Sequence, residues 1–431
     1  MTTPDIHRTI DAVWRIESAR IIGALTRIVR DVGIAEELAQ DALVVALEQW
    51  PGSGIPDNPA AWLMAAAKHR AIDLVRRKAL HARKQDELTR EIEAQLEDAA
   101  PAEPGAALDD PVGDDVLRLV FIACHPVLST EARVALTLRL LGGLTTAEIA
   151  RAFLVPEPTI AQRIVRAKRT LAEARVPFEV PRGDALAARL ASVLEVVYLV
   201  FNEGYSATAG ERWTRPELCD EALRLARILA ELAPQEPEVH GLVALLEIQA
   251  SRLTARIGPA GAPILLLDQN RARWDQLLIR RGLAALARAE ALSTARGGLG
   301  PYALQAAIAA CHARARMAEE TDWPRIAALY DALAQRSPSP VVELNRAVAL
   351  GMAFGPAAGL EVIDALRSEP VLESYHLLPS VRGDLLARLG RLEEAATEFK
   401  RAAALTRNAR EHELLLERAR ECVRLPGERS G

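Results

Sequence analysis

Residues 143–171 read GLTTAEIARAFLVPEPTIAQRIVRAKRTL. Leu144, Ile149, Ala150, Phe153 and Leu154 share one face of a helix at a 3.6-residue period. Thr145 or Thr146 can cap that helix, and Glu148 stands where a capping box needs its acid. Leu154-Val155-Pro156 then turns the chain, and Pro156 opens a second helix with Ile160, Ile164, Ala167 and Leu171 as its buried stripe. Two helices on a short turn predict a helix-turn-helix, whose second helix enters a major groove. The outward side of that helix carries Pro158, Thr159, Gln162, Arg163, Arg166 and Arg169. Arginine pairs with guanine O6 and N7, and glutamine with adenine, so these six are candidate DNA-binding residues. An ordinary helical hairpin with a basic face satisfies the apolar pattern too. The coincidence of cap, turn proline and cationic outer face favours the DNA-binding motif.

Outward from this motif, charge falls in blocks. Positions 66–84 hold seven Lys/Arg against Asp73, positions 86–115 hold eleven Asp/Glu against Arg90, and positions 163–175 hold five bases against Glu173. A chain with net charge −5 thus contains two cationic, polyanion-facing surfaces. The first sits on a helix expected over 59–80, PAAWLMAAAKHRAIDLVRRKAL, which buries Leu63, Ala67, Ala71 and Leu74. Asp73 is placed to pair with Arg76 or Arg77 on the same helix. Two helices precede it, separated at Asp31-Val32-Gly33. The second, from about Ile34 to Trp50, buries Leu38, Ala39, Ala42, Leu43, Ala46, Leu47 and Trp50, and PGSGIPDNP (51–59) ends it.

The 431 residues suit several domains. Only 4% are aromatic while Ala, Leu and Arg abound, which favours helices over sheet. From about 184 onward helix follows helix. LLARLGRLEEAATEFKRAAAL (385–405) has the pattern of a tetratricopeptide repeat: Gly390 at the turn, Ala395 and Ala403 at the helix crossing, and Phe399 filling the groove. Weaker copies lie at 323–333 and 345–366, predicting a helical solenoid with a concave groove. Four dispersed cysteines and eight scattered histidines form no metal-ligand spacing, and neither a nucleophile–base arrangement nor a phosphate-binding glycine loop stands out. We therefore expect no catalytic residues, no metal and no cofactor, with Cys124 a small core residue. The N-terminal MTTPDIHRTIDAVWR has no apolar signal core, and no apolar run approaches ~18 residues, so a cytoplasmic protein without a membrane partner is expected.

Segment 143–171, preceded by AEELAQDALVVALEQW (35–50) and NPAAWLMAAAKHRAIDLVRRK (58–78), resembles the extracytoplasmic-function sigma factors of RNA polymerase. The long tail, with YLVFNEGYSA (198–207) and LLLDQNRARWD (265–275), resembles the subgroup with a C-terminal tetratricopeptide-like extension. The resemblance implies an all-α chain: region 2 at 1–85, an acidic linker at 86–112, region 4 at 113–178 reading the −35 element, and a regulatory repeat domain at 179–431. It implies core RNA polymerase and promoter DNA as partners. Region 2 would offer Glu37, Asp41, Val45 and Glu48 to the polymerase. Lys68, His69, Arg70, Arg76, Arg77 and Lys78 would face the −10 element, and Trp62 is either a base-stacking residue or a packing anchor. In the tail, Glu203, Gly204, Tyr205, Asp268, Asn270, Arg271 and Trp274 are candidates for a partner-binding surface, for a regulatory protein or an intramolecular contact, or else for inter-repeat packing. The competing expectation is a helix-turn-helix regulator that binds operators without polymerase.

Overall fold

A computed structural model of the chain describes residues 3–93, 112–153, 155–181, 184–207, 209–210, 213–294 and 297–423. The architecture is all-α, and two compact units divide within one helix, as Met1–Val196 and Val197–Gly431.

The first unit contains α1 (Thr3–Val29), α2 (Val32–Ser53), α3 (Pro59–Glu93), α4 (Val112–Ala123), α5 (Thr130–Leu140), α6 (Thr146–Phe153) and α7 (Glu157–Glu173). Arg30 takes a left-handed conformation (φ 58°) that ends α1, and the Asp31 carboxylate caps α2 by accepting from the Ile34 amide at 2.9 Å. Ala35, Ala39, Ala42, Ala46 and Trp50 form the buried stripe of α2. Trp50 meets Trp62 of α3 edge to face, centroids 5.4 Å apart, and so clasps the two helices. Helix α3 runs to Glu93, well past the expected end near 80, because residues 79–93 contain no glycine or proline and are rich in helix formers. Of the acidic segment expected at 86–112, positions 94–111 lie outside the described residues. Leu74, expected in the core, is half-buried, while Ile72 and Val75 are exposed.

Helix α8 (Asp184–Tyr205) begins on the first unit. There Arg189 donates to the Phe121 carbonyl at 2.6 Å and Ser192 to the Cys124 carbonyl at 2.7 Å. Its last turns belong to the second unit, with α9 (Pro216–Leu232), α10 (Pro237–Ala250), α11 (Gln276–Ser293), α12 (Pro301–Arg314), α13 (Trp323–Arg336), α14 (Pro340–Ala353), α15 (Pro356–Ala365), α16 (Leu377–Arg388), α17 (Leu392–Leu405) and α18 (Ala409–Val423). From α9 to α18 every helix packs on its successor. The repeat pattern read at 385–405 lies on α16 and α17: Gly390 turns at φ +77°, Ala395 and Ala403 are buried, and Phe399 lies against Gly383. Helices α10 and α12 cross at Gly241, where a Cβ would stand 2.6 Å from the Ala303 backbone nitrogen.

Two features of this unit have no local signature in the sequence. A two-residue parallel pairing, β1 (Ala209–Gly210) with β2 (Arg407–Asn408), joins its beginning to its last hairpin, and the Asn408 side chain donates through Nδ2 to the Ala207 carbonyl at 3.1 Å. The end of α8 also lies against a helix that follows it: Tyr198 meets Tyr302 edge to face and donates its hydroxyl to Gln305 Oε1 of α12.

Candidate nucleic-acid interface

Helices α6 and α7 are set by local chemistry. Thr145 Oγ1 accepts from the Glu148 amide at 3.1 Å, and Glu148 Oε2 accepts from the Thr145 amide at 2.8 Å, the reciprocal pair of a capping box. Pro156 precedes α7, whose Ile160, Ile164, Ala167 and Leu171 are buried. With that stripe facing in, Pro158, Thr159, Gln162, Arg166 and Arg169 are exposed and Arg163 is half-buried. Arg169 pairs with Glu173 one turn on at 2.6 Å, an exposed contact of little energetic weight. Val165, 63% exposed among these residues, was not singled out by the sequence; its position between Gln162 and Arg169 suits an apolar contact to a thymine methyl.

On α3, His69, Arg76, Arg77 and Lys78 are exposed, and Lys68 and Arg70 are half-buried. Ile72 and Val75 lie among them, which gives this cationic face an apolar component as well. Trp62 is half-buried against Trp50 and serves as a packing anchor. Asp73 does not pair with Arg76 or Arg77: among the described residues it has no ion pair, because its exposed carboxylate gains little from one in water. On α2, Glu37, Asp41 and Glu48 are exposed; Val45 is half-buried, and the apolar side chain that points outward is its neighbour Val44, 49% exposed.

The two cationic helices belong to one packed unit, held by a seam that sequence reading missed. Glu36, on the side of α2 away from Glu37 and Asp41, is buried and receives Arg139 Nε of α5 at 2.6 Å and the Lys168 ammonium of α7. Gln40 also donates to it at 2.6 Å. Arg27 of α1 reaches buried Asp115 of α4 at 3.2 Å, and Gly23 lies against the Asp115 carbonyl. Arg15 pairs with Glu148 at 2.8 Å, so the capping-box acid also ties α6 to α1. Lys168, counted by sequence among the bases of a cationic helix, is therefore turned inward.

Comparison with known proteins follows the same division. Residues 15–80 match the model of Sigma-70 region 2, and residues 118–171 that of Sigma-70, region 4. The ECF RNA polymerase sigma factor SigK of Mycobacterium sp. (strain KMS) is 30% identical over 173 residues, which cover 37% of this chain and 80% of SigK. The chain belongs to the ECF sigma factors. As such it directs RNA polymerase to promoters. A probable ECF RNA polymerase sigma factor, SigI of Mycobacterium tuberculosis (strain CDC 1551 / Oshkosh), is 26% identical over 174 residues, covering 40% of this sigma factor and 58% of SigI. An uncharacterized protein of Rhizobium meliloti (strain 1021), R00370, is 45% identical over 391 residues, 90% of each chain, so the likeness there extends through the C-terminal unit. Residues 189–290 match a family of unknown function (DUF6596). No solved structure matches.

Within that C-terminal domain of the sigma factor, Tyr205 and Trp274 both flank Arg252, with Arg271 beside Trp274, but the candidates do not form one exposed surface. Asp268 and Asn270 are exposed, and Asn270 caps a short turn by accepting from the Ala272 amide at 3.0 Å. Glu203 is half-buried in an ion pair with Arg215. Gly204 is buried against the Cys219 backbone, and Tyr205 is half-buried against Phe201. Arg271 and Trp274 are buried, the former donating to the carbonyls of His312 and Ala315 at 2.9 and 3.0 Å. Among the described residues no group of His, Cys, Asp or Glu could hold a metal ion, and no helix is long and apolar enough to cross a membrane. Cys124 is buried against Thr137, and burial raises its thiol to about 11.

Proposed function

We propose that this sigma factor holds promoter DNA on two surfaces and core polymerase on a third, and that it works in the cytoplasm. Helix α7 reads the −35 element through Gln162, Arg163 and Arg166, flanked by Pro158, Thr159 and Arg169. Helix α3 takes the −10 region, with Lys68, Arg70, Arg76, Arg77 and Lys78 on phosphates and His69 beside the exposed apolar pair Ile72 and Val75. The acidic face of α2, with Glu37, Asp41, Glu48 and the outward valine Val44, docks on a basic surface of the polymerase, and Val45 supports it from a half-buried position. The C-terminal domain modulates activity and is not itself a DNA-binding surface. The observation that carries this reading is the presence, on one unit, of two exposed cationic helix faces and one acidic one.

The reading requires the seam to open. The two promoter elements lie about 25 base pairs apart, which is ~85 Å of duplex. Helix α7 packs on α2 and α2 on α3, so their faces stand about two interhelical spacings apart, ~20 Å. Polymerase binding therefore has to separate α7 from α2, releasing Lys168 and Arg139 from Glu36.

The polymerase assignment is tested by reversing charge in Glu37→Lys, Asp41→Lys and Glu48→Lys together. All three are exposed, so the fold is expected to persist by circular dichroism. Affinity for core polymerase, measured by fluorescence titration, is expected to fall about 10–100-fold. Unchanged affinity would show that this face is not the docking surface.

A further inference from the structure

The C-terminal unit contains a cavity of about 200 Å³ between α8, α10 and α12. Phe201, Leu245, Ile308 and the ring of Tyr330 give it an apolar wall. Asn202, Gln249, Gln305, Arg252 and His312 supply its polar groups, and no carboxylate lines it.

Arg252 and His312 are each 8% exposed. The Arg252 guanidinium donates to the Tyr205 hydroxyl at 2.7 Å and to Gln249, but its buried Nε has no hydrogen-bond partner among the described residues. It lies 5.7 Å from the Tyr205 ring and 5.5 Å from the Trp274 ring. Two further buried arginines stand nearby: Arg256, stacked 3.7 Å from the Tyr205 ring centre and 4.3 Å from that of Trp213, and Arg271. Among the described residues none of the three is in an ion pair. Burying a guanidinium without an anion is costly, and stacking on aromatic rings offsets only part of that cost. His312 adds no second cation, since burial and then the charges of Arg252 and Arg271 push it down to about 3; its buried Nδ1 is also without a partner among the described residues.

We propose that this cavity binds a small organic monoanion, a carboxylate on an apolar body about the size of benzoate, with Arg252 taking the carboxylate and the apolar wall taking the body. The size follows from volume, since a cavity of about 150 Å³ accommodates benzene. Carboxylate is favoured over phosphate by the backbone. The lining positions of α8, α10, α12 and α13 lie within helices, where amides are already committed. The cavity thus lacks the cluster of free N–H groups with which helix N-termini and backbone nests hold phosphate.

Isothermal titration of the purified full-length protein, without polymerase, tests the site. The probes are benzoate, phenylacetate and isovalerate, with benzamide and inorganic phosphate as the contrasting arms. Saturable one-to-one binding of at least one carboxylate is expected. Benzoate or phenylacetate should bind about 30-fold more tightly than the uncharged amide, the worth of one charge-assisted contact, with no binding of phosphate. Arg252→Gln should weaken carboxylate binding by a similar factor. Equal affinity for benzamide, preference for phosphate, or no saturation by any of the three carboxylates up to roughly 10 mM overturns the proposal. A second variant guards against a purely structural role. Arg252→Met should leave the Tm in anion-free buffer unchanged or higher, because it removes an uncompensated buried charge. A marked fall in Tm would mean that the guanidinium holds the fold together and awaits no ligand.

Discussion

Cysteines introduced at Gly33 and Lys168 and then oxidised will lock α7 onto α2 and lower promoter-specific transcription by at least about 100-fold, with recovery on adding reductant. A Cβ at Gly33 lies 3.9 Å from the Lys168 Cβ, inside the range of about 3.5–4.5 Å that a disulfide needs. Gly33 is not among the glycines with positive φ, so the substitution carries no backbone strain. Three native cysteines are poor competitors, since Cys124, Cys219 and Cys311 are buried and burial raises the first two thiols to about 11 and about 12; half-buried Cys422 is replaced by serine in the same background. The reduced double variant is the internal control, because it has already lost the Lys168–Glu36 ion pair. Glu36 keeps Arg139 and Gln40 in that variant but loses one of its two cations across the seam, so the reduced variant should open more readily than the parent. Full transcription from the cross-linked protein would show that promoter binding does not need the seam to open.

The second large effect is expected on α3. Arg76→Ala, Arg77→Ala and Lys78→Ala together should weaken holoenzyme binding to promoter DNA about 100-fold, at about 1 kcal/mol or more per phosphate contact. The discriminating readout is salt dependence. Each neutralised phosphate adds about 0.9 to the slope of log affinity against log salt, so the triple variant should lose about 2–3 from that slope. The three side chains are exposed, so stability and core-polymerase affinity should be unaffected. An unchanged slope would place this face away from DNA.

What was legible in the sequence was local. The Thr145–Glu148 capping box, the stripe Ile160, Ile164, Ala167 and Leu171, and the turn at Gly390 all depend on neighbours within a few positions, and each is present in the fold. The site residues on α7 follow from that stripe, because a helix that buries one face exposes the other. What was not legible depends on partners distant in the chain. Glu36 reads as one more acid beside Glu37, yet its partners Arg139 and Lys168 lie more than a hundred residues away. Val44 and Val45 are both apolar at the edge of a stripe, and only packing decides that Val44 faces outward. Arg252 and His312 acquire meaning only when α10 and α12 enclose a cavity with α8. Charge blocks reveal that a polyanion surface exists; they do not reveal which bases are spent on internal acids.

Permanganate reactivity of promoter thymines tests the sigma assignment most directly. Purified full-length protein, core polymerase from its source organism, and both together are each incubated with a promoter fragment. Enhanced reactivity over the −10 region only when both are present, and its loss in the Arg76, Arg77 and Lys78 variant, is the predicted result. Duplex that stays closed with both present, or specific binding and function by the protein without polymerase, would contradict it.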